Sequence, residues 1–130
     1  MIQFSVKSTE RTQFIDITRE VAEALTGLSA GRGCLFLSVP HTTCALTVNE
    51  SYDPDVAADI NAFLNRLIPE GHRFRHVEGN SDAHIKAAMI GTSLLLPLEK
   101  GELLLGTWQG IFLCEFDGPR TRTVRAGTLL

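Results

Sequence analysis

The stretch SLLLPLEKGELLLGTWQGIFLCEF, residues 93–116, decides the fold class of this chain. It contains the strand-like segments SLLLPL and GTWQGIFLCEF, which the turn-forming sequence EKGE separates. A third strand-like segment, TRTVRAGTL, follows the turn signal DGP. Three successive strands with no helix between them lack the regular strand–helix alternation of a parallel doubly wound sheet, so they favour an α+β domain with mainly antiparallel strands.

The first half of the chain predicts four more strands and one helix. IQFSV and TQFIDI alternate apolar and polar residues on either side of a short turn, which predicts an antiparallel hairpin of neighbouring strands. Thr18 is a candidate N-cap for a helix from Arg19 to Thr26. The dense apolar segment GCLFLSV and the strand-forming segment CALTVNE then predict two strands joined by the PHTT sequence.

Two further helices are predicted between these strands and the opening stretch. Asp53 followed by Pro54 is typical of an N-cap and a first helical position, and an apolar face continues from there to Pro69. Ser81 is a candidate N-cap for the next helix, which ends before Gly91 and directs Ile85 and Met89 toward the core. The predicted order is ββ α ββ αα βββ in one sandwich-like domain, residues 1–130.

Composition limits the class of protein. The formal net charge is −3, with the basic residues mostly scattered, which argues against a nucleic-acid partner. The N-terminus alternates like a strand instead of resembling a signal peptide, and no apolar run approaches the roughly 18 residues that a membrane span needs. Three widely spaced cysteines lie in apolar segments and predict buried free thiols in a reducing cytoplasm.

The segments SLLLPL and FLC are apolar on both of their strand faces. A chain of 130 residues has few layers with which to cover both faces of a sheet. Burial against another subunit would remove that apolar surface from water. The sequence therefore predicts an oligomer.

The stretch RHVEGNSDAHIKAAMIG, residues 75–91, concentrates polar side chains before an apolar helix. His76, Glu78, Asp82 and His84 are close enough in sequence to converge around one turn, and His41 of PHTT could complete a metal site with them. Each group also has an ordinary explanation, because a helix N-terminus favours an acidic residue and a histidine in a first helical turn is often only a surface residue.

Other candidate groups follow the fourth strand and flank the tryptophan. Asn49, Glu50 and Asp53 form an acidic cluster, although an N-cap role explains Asp53 fully. Trp108 is expected to pack in the core or an interface, while Gln109 points to the opposite strand face and could contact a polar ligand. Glu115, in so apolar a strand, needs a cation if it is buried. The available cations are Arg120, Arg122 and Arg125.

The sequence SLLLPLEKGELLLGTWQGI, together with PHTT, LTVNE, DPDV, HRFRHVEGNSDAHIKAAMIG and CEFDGPR, resembles the YjbQ family, also called the secondary thiamine-phosphate synthase group. The matching blocks run from about Ser38 to Arg122. The resemblance implies a homotrimeric α+β domain and a weak activity that joins a pyrimidine pyrophosphate to a thiazole phosphate. It also implies a polar pocket lined by His41, Asn49, Glu50, His76, Asn80, Asp82, His84 and Gln109.

We combine these features into one hypothesis about the site. A divalent metal, zinc-like or magnesium, is bound by His41, His76 and His84, or these side chains bind phosphate directly. Candidate catalytic residues are Glu50, Asp53 and His76. Candidate ligands to a small phosphorylated metabolite are Asn49, Asn80, Asp82 and Gln109. Two alternatives stay open: a zinc-dependent hydrolase of a small metabolite, and a non-catalytic trimeric metal- or metabolite-binding protein.

Overall fold

A computed structural model describes residues 1–29 and 32–129. The predicted order of elements is confirmed there. One additional two-residue strand, Glu102–Leu103, lies between the first two of the three predicted C-terminal strands. No helix within the described ranges is long and apolar enough to cross a membrane. The elements are β1 (Ile2–Lys7), β2 (Gln13–Asp16), α1 (Thr18–Thr26), β3 (Arg32–Ser38), β4 (Cys44–Glu50), α2 (Pro54–Leu67), α3 (Ser81–Ile90), β5 (Ser93–Glu99), β6 (Glu102–Leu103), β7 (Gln109–Glu115) and β8 (Thr121–Leu129).

The strands form two antiparallel sheets, so the predicted α+β class is confirmed. The larger sheet has the order β1-β8-β3-β5-β6, and the smaller has the order β2-β7-β4. The three strands β3, β5 and β8 lie side by side in the larger sheet, where Ser38 pairs with Ser93 on one side and with Arg125 on the other.

The predicted hairpin of the first two strands is wrong. β1 pairs with β8, as in Val6 opposite Arg122, whereas β2 pairs with β7, as in Phe14 opposite Cys114. The short turn between them crosses from one sheet to the other. A local alternating pattern predicts that both segments are strands, but the pairing depends on β7 and β8, which lie about 100 residues further along the chain and are longer than β1 and β2.

Strand β7 lies at the centre of the small sheet and is buried on both faces. Ile111 and Leu113 belong to one apolar cluster, which also includes Val21 of α1. Phe112 and Cys114 belong to a second cluster, which includes residues of α2 and α3. Because successive side chains of a strand point to opposite faces, this alternation places the small sheet between the large sheet with α1 on one side and helices α2 and α3 on the other. Both faces of FLC are therefore covered within one chain, and that segment no longer argues for an oligomer.

One of the three predicted helix caps is confirmed. Asp53 caps α2, where its Oδ1 accepts the backbone N–H of Asp55 at 2.9 Å. The cap positions of α1 and α3 are instead occupied by Ile17 and Asn80. Thr18 and Ser81 are the first residues inside those helices, so their hydroxyl groups do not act as N-caps. For α1 the side chain of Asp16 replaces that cap by accepting the N–H of Thr18.

Helix α3 packs differently from the predicted orientation. Met89 is 58% exposed and Ile85 is also exposed, so neither faces the core as predicted. The buried face instead combines Ala83 and Ala87 with charged side chains. Small alanines let the helix approach β4 closely, and the charged residues on that face are paired with one another. The helix ends at Gly91, as predicted, where φ is +102°.

Candidate functional site

His76 and His84 form an imidazole pair beside the first turn of α3. His76 lies in the irregular segment between α2 and α3, which does not form the extended run predicted for RFRHVE. The two ring centroids are 5.4 Å apart, and the ring planes are nearly perpendicular at 88°. The carboxylate of Glu78 lies 3.7 Å from Nε2 of His76. Three of the groups predicted to converge at this turn therefore do so.

His41 and His84 line the same cavity, which has a volume of about 420 Å³. The connection between β3 and β4 forms one wall, and α3 together with Thr92 forms the other. The remaining lining residues are Thr42, Ala87, Ala88 and Thr92. The small alanine side chains leave room between the polar groups, so the cavity presents two imidazoles and two hydroxyls.

The ring of His41 is fixed by the backbone of β8. Nε2 of His41 accepts the N–H of Thr123 at 2.9 Å. Burial and the positive charge of Arg122 lower the pKa of His41. The side chain is therefore neutral near pH 7, with its Nε2 lone pair already used.

These contacts bear on the predicted metal site. Among residues 1–29 and 32–129, no group of three or more histidine, cysteine or acidic side chains is placed to hold a metal ion. His41 can offer Nε2 to a metal only by giving up its bond to Thr123. Within one chain the arrangement provides the His76–His84 pair, so additional donors would have to come from a substrate, from water or from another copy of the chain.

Asn80, at the cap position of α3, is held in one orientation. Its Nδ2 donates to Asp117 at 2.9 Å, which fixes which side of the amide carries the oxygen. Its Oδ1 is buried and has no hydrogen-bond partner among the described residues. An unsatisfied buried acceptor of this kind requires a donor from water or a ligand, which suits the predicted role of Asn80 in substrate binding.

Asp82 lies apart from the histidine cavity, in a buried charged network. Both carboxylate oxygens accept from Arg11, at 2.9 and 3.0 Å, and Nζ of Lys86 lies 3.4 Å away. Burial would raise the pKa of Asp82, but the hydrogen bonds and charges of Arg11 and Lys86 outweigh it and lower that pKa. The i,i+4 spacing of Asp82 and Lys86 signals this ion pair in the sequence, whereas nothing local signals Arg11.

Glu50 and Asp53 line a different cleft, on the side where α2 meets the small sheet. That cleft has a volume of about 360 Å³ and also contains Glu10, Asp16 and Asn61. An adjoining cavity shares Glu50 and Asp53. The predicted catalytic carboxylates are thus close to each other, but they and the histidine pair line separate cavities of the single chain.

The side-chain oxygens of Asn49 and Gln109 accept hydrogen bonds from backbone N–H groups nearby in the sequence. Oδ1 of Asn49 accepts the N–H of Glu50 at 2.8 Å, and Oε1 of Gln109 accepts the N–H of Gly106 at 2.8 Å. Trp108 lies in the turn before β7, is 55% exposed and packs edge-to-face against Tyr52 at 5.2 Å. Trp108 therefore does not pack in the core of the single chain, because β7 begins at Gln109, one residue after it. Packing of Trp108 in an interface stays a prediction.

Glu115 is buried, and Arg122 is the partner among the three candidate cations. The same guanidinium donates from Nη2 to the backbone oxygen and hydroxyl of Thr43, at 3.1 and 2.8 Å. Burial would raise the pKa of Glu115, but hydrogen bonds from Arg122 and Ser8 outweigh it and lower that pKa. Arg122 therefore anchors the segment that carries His41, a link between distant residues that the sequence did not reveal.

Together the fold and the site define a two-sheet α+β domain with a histidine-lined cavity between a strand connection and a helix. The family model described as "UPF0047 protein YjbQ-like" matches residues 2–129. The chain belongs to this family.

Relatives and solved structures agree with that assignment. The chain is 45% identical over 122 residues to the UPF0047 protein MJ1081 of Methanocaldococcus jannaschii, covering 94% of this chain and 88% of that one. It is 48% identical to YugU of Bacillus subtilis, covering 91% and 90% of the two chains. The crystal structure of a YjbQ/UPF0047 protein from Clostridium acetobutylicum superposes with a TM-score of 0.96, at 45% identity, over 99% of this chain and 100% of that one.

Proposed function

We propose that the site centred on His76 and His84 binds a zinc-like divalent cation beside a small phosphorylated metabolite. The observation that carries this proposal is the 5.4 Å separation of the two imidazole rings, with Glu78 close to the first of them. Metal–nitrogen bonds to histidine are about 2.0–2.1 Å long, so two rings at this spacing need little movement to share one ion. Imidazole ligands favour zinc-like ions over magnesium.

The reaction we propose is a weak joining of a pyrimidine pyrophosphate to a thiazole phosphate, which gives thiamine phosphate. Its support is the family resemblance and the chemistry of the leaving group, because pyrophosphate departs with several negative charges. A bound cation supplies electrostatic stabilisation of that charge. Asn80 offers its unsatisfied Oδ1 to an N–H group of the substrate, and its orientation is held by Asp117.

Calorimetric titration of zinc into metal-stripped protein tests the cation site. We expect saturable binding that His84→Ala and His76→Ala each weaken at least about tenfold, the scale on which loss of one metal-site group acts. His72→Ala is the matched control, since His72 lies in the same loop but packs in a tilted arrangement against Phe74, with ring centroids 4.9 Å apart. Equal zinc binding by all three variants and the parent would contradict the proposal.

Incubation with both thiamine precursors tests the reaction. Thiamine phosphate should form with the parent and with His72→Ala, and it should fall to the uncatalysed level with His76→Ala. Turnover that is unaffected by His76→Ala and His84→Ala would remove the catalytic assignment. Zinc binding without turnover would leave a metal-binding protein, and hydrolysis of one precursor would indicate a hydrolase.

We also propose that the chain forms a homotrimer through its remaining apolar surface. Leu95 of β5 is 59% exposed and pairs in register with Phe36 on the outer face of the large sheet. Leu95→Glu should shift the mass measured by sedimentation equilibrium from three times the 14.2 kDa chain toward a single chain. Gln3→Glu adds the same charge to another exposed position of that sheet and should leave the mass unchanged. A monomeric parent would contradict the proposal.

A further inference from the structure

We propose that the cavity between the PHTT segment and α3 is an oxyanion subsite, in which His41 donates a hydrogen bond from Nδ1 and the hydroxyls of Thr42 and Thr92 assist. The ligand is a phosphate group, either free or at the end of a metabolite. This inference rests on the proposed function only in assigning that phosphate to the substrate. It gives His41 a role different from that of a metal ligand.

The hydrogen bond to Thr123 sets the tautomer of His41. A neutral imidazole has one N–H and one lone pair, so the nitrogen that accepts a hydrogen bond is not the protonated one. Because Nε2 accepts the N–H of Thr123 at 2.9 Å, the proton resides on Nδ1. The nitrogen left for a ligand is therefore a donor, and it prefers an oxygen acceptor to a metal ion.

The topology of the large sheet explains why the ring stays in this orientation. β3 pairs with β8 as far as Ser38 opposite Arg125, and the chain then leaves the sheet. Thr123 lies two residues before Arg125 in β8. Among the described residues its N–H has no strand partner on the β3 side, and it donates to the imidazole of His41 instead. Turning the ring would leave this backbone donor unsatisfied, which is unfavourable for a partly buried group.

The lining of the cavity favours an anion. It combines two imidazoles, two hydroxyls and two alanines, and none of the described residues that line it is acidic. The guanidinium groups of Arg122 and Arg120 are paired with the carboxylates of Glu115 and Asp117. A phosphate oxygen in this cavity is therefore held by the neutral N–H and O–H donors of its lining. The cleft that contains Glu10, Asp16, Glu50 and Asp53 has the opposite character.

Nitrogen-15 NMR of the imidazoles tests the tautomer and the ligand together, on metal-free protein. We expect His41 to have its proton on Nδ1, and we expect its ring signals to move saturably as inorganic phosphate is added. The signals of His72 should stay in place. A proton on Nε2 of His41, or ring signals that do not respond to phosphate, would overturn the proposal.

Two substitutions at position 41 separate the two ring nitrogens. In His41→Gln the side-chain oxygen can accept from Thr123 in place of Nε2, but the donor at Nδ1 is lost, so phosphate binding should weaken by about ten- to a hundredfold. In His41→Asn the amide nitrogen occupies the region of Nδ1 and should retain more of the binding than His41→Gln does. Equal affinities for the two variants and the parent would count against a donor at Nδ1.

Further binding measurements identify the source of the phosphate. They also separate a failure of this subsite from a failure of the proposed zinc site. Tighter binding of methyl phosphate than of inorganic phosphate would assign the subsite to a phosphorylated metabolite, whereas the reverse would assign it to free phosphate. Thr92→Val keeps the shape of the side chain and should weaken both ligands. A phosphate response of His41 in protein that binds no zinc would sustain this subsite while contradicting the proposed metal chemistry.

Discussion

Arg122 of β8 donates from Nε to both carboxylate oxygens of Glu115 on β7, at 2.9 and 3.1 Å, and this buried ion pair joins the two sheets. Arg122→Met leaves the carboxylate buried without its cation. We expect unfolding free energy to fall by about 3–5 kcal/mol, the usual effect of breaking a buried pair from one side. Urea unfolding followed by circular dichroism measures this change.

Two variants serve as controls for the Arg122–Glu115 pair: a substitution of another arginine of β8, and a double substitution that removes both partners. Arg125→Gln removes an exposed arginine of β8 and should change stability by no more than about 0.5 kcal/mol. Replacing both partners, as in Glu115→Leu with Arg122→Met, should recover much of the loss because neither charge is then left unpaired. A loss in Arg122→Met as small as that in Arg125→Gln would show that the pair contributes little.

Acid should destabilise the protein through its buried carboxylates. The pKa values of Glu115 and Asp82 are lowered in the folded chain, whereas in the unfolded chain they return to about 4. Below that pH the unfolded state binds more protons, so the stabilisation present above it is lost as pH falls through the folded pKa values. Urea unfolding between about pH 3 and pH 7 should show this decline, and Glu115→Gln should flatten it. A parent whose stability is constant over this range would contradict the prediction.

Asp82 on the buried face of α3 is bound by both Arg11 and Lys86, so substitution of Asp82 and substitution of Lys86 should lower stability by different amounts. Asp82→Asn leaves Lys86, which is 1% exposed, without its counter-charge and should cost about 3–5 kcal/mol of stability. Lys86→Met should cost less, because Asp82 keeps its two hydrogen bonds from Arg11 and methionine fills a similar volume. Thermal unfolding of both variants makes the comparison. The reverse order of stability would mean that Lys86, and not Arg11, is the main partner of Asp82.

The three thiols should differ in reactivity. Burial raises the pKa of Cys44 to about 11 and also raises that of Cys114, while Cys34 is only partly buried. Thiol reagents attack the thiolate, so Ellman's reagent should modify Cys34 first in the native protein and all three after denaturation. Cys34→Ser should abolish the fast native reaction. A native rate for Cys44 equal to that for Cys34 would contradict the burial argument.

Local sequence patterns predicted where the strands and helices lie better than they predicted how those elements pair and pack. The Asp53–Pro54 signal placed the start of α2 correctly, because an N-cap and a first-position proline act within a single helical turn. The strand pattern of TQFIDI was equally correct, yet its partner is β7 and not β1. The orientation of α3 was predicted wrongly because hydrophobicity alone assigns Ile85 to the core, whereas a buried pair of opposite charges occupies that face.

The sequence by itself determined the order of strands and helices, the α+β class and the convergence of His76 with His84, because these depend on residues within a few turns of one another. The tertiary structure decided which sheet each strand joins, which of three arginines pairs with Glu115, and that the predicted pocket is divided among separate cavities. It also decided the tautomer of His41, since the N–H that sets it belongs to Thr123, 82 residues away. Contacts between segments so far apart depend on packing of the whole chain, and no local pattern encodes them.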